Sequence, residues 1–492
     1  MHLRRSPGIA LSLSVLAALG SGCQLADGDP RPSRQTITEP PSVTAPTVPA
    51  PALDSGQLQE TAASAGDPYT PTDGNGGFDV LHYGLTLQIV PASATKALAG
   101  VAQIRAKATQ DLTSFDLDLT GLRVSSVKVD GVAADFSRRG SELIVKPSAS
   151  VPGGSTFTVR VAYAGTPQPV NDPILGPYGW IRTPDGVAVA CQPSGAHTWF
   201  PGSDHPSDKA TFDFDVTVPA GLTTIANGES DGEVTAGGFT RSRWRSKDPM
   251  ATYLATVTVG RFDVRKGVTP GGIPILAAAD PTSSFTKVDT IYTSSAKITD
   301  EWVKVFGPYP FTSTGGIVDN ASVNFALETQ TRPIYGNFPL EETIIAHELA
   351  HEWFGDSVSV TQWKDIWLNE GFATYAEWMW GERTGQGTVQ ENFDQLYADT
   401  DAADWERLTG NPSRNQLFDK FAVYDRGAMT LHALRTKVGD DRFFAILRTW
   451  AKEHRHGNAT TAQFIELASR VAGTDLSDLF QAWLSTPERP RL

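Results

Sequence analysis

The sequence is short of cysteine, of positive charge and of long apolar runs. Cys23 and Cys191 are the only cysteines in 492 residues, too few for a disulfide framework. Lys and Arg number 41 against 55 Asp and Glu, for a formal charge of −14. A nucleic-acid binder needs a basic footprint, so no nucleic-acid partner is expected. Past residue 22 no stretch approaches the roughly 20 apolar residues of a membrane-spanning helix. The 45 Gly and 33 Pro show no three-residue period, which excludes a collagen-like chain. The rest, 40% hydrophobic and 20% charged, suits a soluble globular protein of two or three domains.

The N-terminal region reads as processing signal and tether. Arg4 and Arg5 precede a short apolar run over 9–19, so residues 1–22 are expected to be a signal peptide. Leu19-Gly-Ser-Gly-Cys23 resembles the lipobox of bacterial lipoproteins, which implies lipidation of Cys23, although Gly20 stands where a Leu is usual. Ordinary cleavage nearby is the alternative. Both readings imply export, to the outer face of a bacterial cytoplasmic membrane or into the medium. A lipid on Cys23 leaves Cys191 as an unpaired, packed thiol. Residues 23–66 form a Pro/Thr/Ala-rich linker, with seven prolines between 30 and 51. Loss of residues 1–22 removes two Arg and no acid, taking −14 to −16. That charge favours no anionic membrane surface, so the lipid is the only membrane link expected.

The folded part divides by pattern. Over 67–265 short alternating segments follow one another. Leu85, Leu87 and Ile89 are one set, Phe115, Leu117 and Leu119 another, and Phe157, Val159, Val161 and Tyr163 a third. Asp130-Gly131 reads as a hairpin turn. An all-β, sandwich-like domain is expected there. Over 266–492 the pattern turns helical, with helices predicted at 340–354, 366–380, 415–438, 441–454 and 461–472. The fold class is thus multi-domain, an N-terminal β domain plus a mainly α, α+β domain.

His347-Glu-Leu-Ala-His351 places two imidazoles one helical turn apart, the spacing two ligands need to grip one Zn²⁺. Glu348 lies beside them, able to reach a water without being a ligand. A catalytic zinc takes three protein ligands and leaves a fourth place open. Glu370, on the next predicted helix, supplies a third ligand, giving the two-His, one-Glu set of thermolysin-like sites. One zinc per chain is expected.

The segment from His347 to Asp356, together with Trp363 and Trp367-Leu-Asn-Glu-Gly-Phe-Ala373, resembles the aminopeptidase N family of zinc metallopeptidases, peptidase family M1. That family also separates the second His from the Glu by eighteen residues. The likeness extends to Gly66-Asp-Pro-Tyr69, to Asp73 through Val80, to Gln192 through Phe212 and to Tyr424-Asp-Arg-Gly-Ala428. It implies a saddle-like β domain, a thermolysin-like catalytic domain and peptide substrates. It also implies that Glu348 is the general base and that the Tyr424 hydroxyl steadies the oxyanion, a packed core tyrosine being the alternative. A free α-amine would be read by Glu328 with Gln192, although Gln192 also suits an ordinary polar loop. The family's Gly-Ala-Met-Glu-Asn is here Phe325-Ala-Leu-Glu-Thr329, which keeps the acid and changes its flanks. Phe480-Gln-Ala-Trp483 looks like the close of the catalytic domain, so the large helical domain common in the family is expected to be missing.

Other polar residues carry less. Asp365 suits either a partner for a ligating His or a helix cap. Glu352, His454 and His456 are expected to face solvent, and His197 and His205 lack ligand spacing. Three functions stand: a zinc aminopeptidase, a thermolysin-like endopeptidase, and a non-catalytic surface binding lipoprotein. Oligomeric state is not legible.

Overall fold

The structure, a computed structural model, describes residues 64–492. The signal peptide, Cys23 and nearly all of the linker lie outside the described residues. No helix among them is long and apolar enough to cross a membrane.

Residues up to about 260 build three sheets. The largest has eight strands in the order Glu229–Ala236, Phe239–Ala251, Lys209–Pro219, Phe78–Ile89, Leu98–Ala108, Thr156–Gly165, Arg123–Val129, Val132–Ala133. All neighbours are antiparallel except Phe78–Ile89 with Lys209–Pro219. The alternating residues Leu85, Leu87 and Ile89 face Phe212, Phe214, Val216 and Val218 in one buried layer. Asp130 and Gly131 both take positive φ, 48° and 82°, and turn the predicted hairpin. One strand departs from simple alternation. Asp116 and Asp118, which alternate with Phe115, Leu117 and Leu119, are buried too. Asp118 accepts hydrogen bonds from the backbone N–H groups of Gly74 and Asp204 and from the Asn75 amide.

A five-stranded sheet follows, ordered Asp263–Val268, Pro274–Ala279, Thr314–Val318, Ile334–Tyr335, Ala326–Leu327. Helix α1 (Val288–Phe306) joins the parallel strands Pro274–Ala279 and Thr314–Val318 and buries Ile291, Ile298, Trp302 and Val305. The helix prediction omitted this sheet and α1. The strands there are short, and Ala277-Ala278-Ala279 is buried on both faces, so no alternation marks it.

The helices that position the site are α2 (Glu342–His351) and α3 (Trp367–Thr384). Around them lie α4 (Val389–Asp399), also unpredicted, α5 (Arg426–Val438), α6 (Asp440–Glu453) and α7 (Thr461–Ala472). The single helix predicted over 415–438 is three pieces: a short 3-10 turn at Arg414–Gln416, a wide π turn at Lys420–Asp425, and α5. The Asp419 carboxylate accepts from the Ala422 N–H and starts the π turn afresh.

Candidate metal centre and active site

Helix α2 brings His347 and His351 onto one face, their ring centroids 4.9 Å apart. Helix α3 enters with Glu370 in its first turn. The Nε2 atoms of both histidines lie 3.4 Å from Glu370 Oε2. The outer nitrogens are engaged elsewhere. His351 Nδ1 lies 3.0 Å from the Phe354 carbonyl, and His347 Nδ1 lies 3.4 Å from Glu377 Oε2. An Nδ1 that donates outward leaves the Nε2 lone pair facing inward, the tautomer a metal needs. Glu377 escaped the sequence reading, yet it stands seven residues after Glu370 on the same face of α3.

Two imidazole nitrogens and one carboxylate oxygen, buried and mutually within 4.8 Å, form a donor set suited to zinc. The surrounding charge supports a cation as well. Burial pushes the His351 imidazole down, but the Glu370 and Glu328 carboxylates outweigh it and hold its pKa at about 9. Burial raises Glu370, and the two imidazoles more than reverse this, to about 2. His347, His351 and Glu370 are therefore the residues that would hold the metal.

Glu348 is buried beside the ligands. A ligand atom of Glu348 lies within 4.8 Å of one on His351 and one on Glu328. Burial raises its carboxyl, and the two imidazoles oppose this. Glu328 follows strand Ala326–Leu327, and Gln192 follows strand Val187–Ala190 of the β-rich region. Gln192 Nε2 donates to Glu328 Oε1 at 2.6 Å. Glu328 is pushed up to about 7 by burial, against His351 and with help from Glu370 and Glu348. Tyr424 sits on the π turn, with its ring 6.0 Å from that of His347 and 17° from parallel. Its hydroxyl is pushed well above the usual phenol range by burial and by Glu370. The structure thus brings His347, His351, Glu370, Glu348, Glu328, Gln192 and Tyr424 into one site.

Several sequence expectations change. Glu352 does not face solvent. It is wholly buried, and its Oε2 accepts the Thr331 N–H at 3.1 Å. Asp365 touches neither ligating histidine and binds the start of α7 through Thr461 N and Oγ1. His454 is half-buried against Trp450, and His456 pairs with Asp248 at 3.5 Å. His197 pairs with Asp204 and His205 with Asp67, away from the ligand set. Cys191 is buried and has no disulfide partner among the described residues. In the altered loop, Thr329 is buried and its hydroxyl donates to the Arg332 carbonyl.

Residues 80–254 match the family model described as the Peptidase M1 N-terminal domain, and residues 331–483 match the Peptidase family M1 domain. Aminopeptidase N of Lactococcus lactis is 26% identical over 436 residues, covering 80% of this chain and 49% of that protein. Leucyl aminopeptidase of Saccharolobus solfataricus is 26% identical over 401 residues, covering 76% of this chain and 50% of its own length. The chain thus spans about half the length of the curated relatives it matches. A glutamate-to-alanine mutant of the M1 zinc metallopeptidase of Deinococcus radiodurans, solved with a Tyr-Ser-Ala substrate, aligns with a TM-score of 0.79 at 30% identity. That match covers 87% of this chain and 99% of the other. A glutamate-to-alanine mutant of a two-domain M1 zinc metallopeptidase bound to L-tryptophan gives a TM-score of 0.78 at 29% identity, over 87% of this chain and 100% of that one. With both domains of the family matched along the chain and a donor set suited to zinc assembled within the matched catalytic domain, the chain belongs to peptidase family M1, the zinc metallopeptidases.

Proposed function

We propose that the protein is a zinc-dependent aminopeptidase that removes N-terminal residues from peptides. The observation that carries this is the place of Glu328. A buried carboxylate, oriented by Gln192, stands beside Glu348 and His351. A carboxylate so close to the reacting centre suits an α-ammonium one residue from the scissile bond, and burial strengthens the pairing. An endopeptidase has no use for that charge.

When bound, zinc supplies Lewis acidity, lowering the pKa of a water toward 7 and polarising a carbonyl. Glu348 takes a proton from the attacking water and returns it to the leaving nitrogen as the C–N bond breaks. The Tyr424 hydroxyl donates to the oxygen on which negative charge develops. Its raised pKa keeps it a donor at neutral pH. Glu328 and Gln192 hold the substrate amine throughout. The N-terminal segment, with Arg4, Arg5 and Cys23, supports an exported protein held by a lipid on Cys23.

The test is a panel of aminoacyl anilides, free and N-acetylated, assayed with and without chelator. Free-amine substrates should be cleaved, acetylated ones should resist, and chelator should abolish turnover until zinc is restored. Equal cleavage of acetylated substrates would refute the aminopeptidase reading.

A further inference from the structure

Helix α3 carries Glu370, and α5 follows directly on the turn that carries Tyr424. The two helices touch backbone to backbone at one point. A Cβ added at Gly371 would lie 2.9 Å from both Cα and C of Gly427, and one added at Gly427 would lie 2.9 Å from Cα of Gly371. Neither glycine has positive φ, so the backbone conformation does not require glycine at either place. Glycine is also a poor helix former, so helix formation does not explain the pair. Close approach does.

Carbon contacts settle near 3.5 Å, so a methyl on either side would part the helices by about half an ångström. Gly371 directly follows Glu370, and Gly427 lies one turn beyond Tyr424. No side chain stands between the two backbones to absorb the shift. The contact therefore sets how far Tyr424 stands from Glu370 and from its stacking neighbour His347.

We propose that the Gly371–Gly427 contact is a spacer that positions the Tyr424 hydroxyl for reaction. Gly427 is then a positioning residue acting through Tyr424. This rests on the role given to Tyr424 above.

The test is a double-mutant cycle on the full-length, zinc-loaded protein with a free aminoacyl anilide. Gly427→Ala should lower kcat about tenfold and leave KM within about twofold, since a misplacement of 1 Å costs about a hundredfold. In a Tyr424→Phe background the same change should cost less than about twofold, because its target is gone. An equal loss in both backgrounds overturns the positioning role, as does an unchanged kcat in folded Gly427→Ala. Full activity in Tyr424→Phe alone overturns the Tyr424 reading and the spacer with it, a result separable from the others. If Gly427→Ala does not fold, Gly371→Ala places the methyl on the other side of the contact. Failure of both to fold makes the pair a packing requirement and overturns the proposal.

Discussion

Replacing Glu328 by Gln tests the amine anchor with the least disturbance of shape. The amide keeps the volume, and its oxygen can still accept from Gln192 Nε2, which lies 2.6 Å from Glu328 Oε1. What is lost is the negative charge. Glu328 is almost wholly buried, so a substrate ammonium pairing with it does so out of water. Removing one partner of such a pair costs about 2 to 5 kcal/mol. At 1.36 kcal/mol per decade, kcat/KM for a free-amine anilide should fall about 30- to 5000-fold. The N-acetylated substrate carries no charge to lose, so its already low rate should hardly move. The informative quantity is the ratio of kcat/KM for the free substrate to that for the acetylated one, and it should collapse. Stoichiometric zinc, measured by mass spectrometry, separates a lost anchor from a lost metal. A free-amine kcat/KM within threefold of the parent would refute the reasoning, because no buried charge pair could then have formed.

Two further predictions concern other parts of the molecule. Glu348→Gln should keep its zinc and lose about 10²- to 10⁴-fold in kcat, the usual contribution of a positioned base; turnover within tenfold of the parent would exclude that role. Lys209 Nζ donates to the backbone carbonyls of Asp356, Ser357 and Gly457, tying the β-rich region to the loop after α2. Lys209→Met leaves the Ser357 carbonyl without a donor, while Ser359 still serves the carbonyls of Gly457 and Asp356. It should lower the unfolding free energy by about 1 to 3 kcal/mol, read as a lower denaturant midpoint, and an unchanged midpoint would refute this.

Legibility in the sequence followed the range of the interaction. Helix α7 runs over the predicted residues 461–472, because both its ends are local: Thr460 and Gln463 form a capping box, and Gly473 closes it in the left-handed conformation. The convergence of His347, His351 and Glu370 was legible because two helices fix it by spacing. The 415–438 segment was misread because its apolar period runs on through the π turn, and the Asp419 cap that restarts the chain does not disturb that period. Glu352 was misread for the opposite reason. Its position after His351 looks outward on an isolated helix. Its partner is Thr331, a β-branched residue at φ 67°, which no local pattern announces. The Gly371–Gly427 contact joins residues 56 positions apart and leaves no trace in either helix read alone.

The charge arrangement explains why the site draws on distant segments. Glu328, Glu348, Glu370 and Glu377 converge on two imidazoles, and three of the four carboxylates are buried. Such a concentration of like charge is relieved by protonation, toward which burial pushes Glu328 and Glu348, or by cations that arrive to meet it. In the proposed function the metal ligands take one such cation and Glu328 takes the other, which would account for the carboxamide of Gln192 beside it. A lysine or arginine in place of Gln192 would satisfy Glu328 permanently and cancel the attraction for an α-ammonium. A carboxamide donor fixes the direction of the carboxylate and leaves its charge free. Gln192 reaches this position only because the β-rich region presents the end of strand Val187–Ala190 to the edge strand Ala326–Leu327. On this reading the β-rich region is more than a support for the catalytic helices: it supplies half of the device that selects a chain terminus over an internal peptide bond.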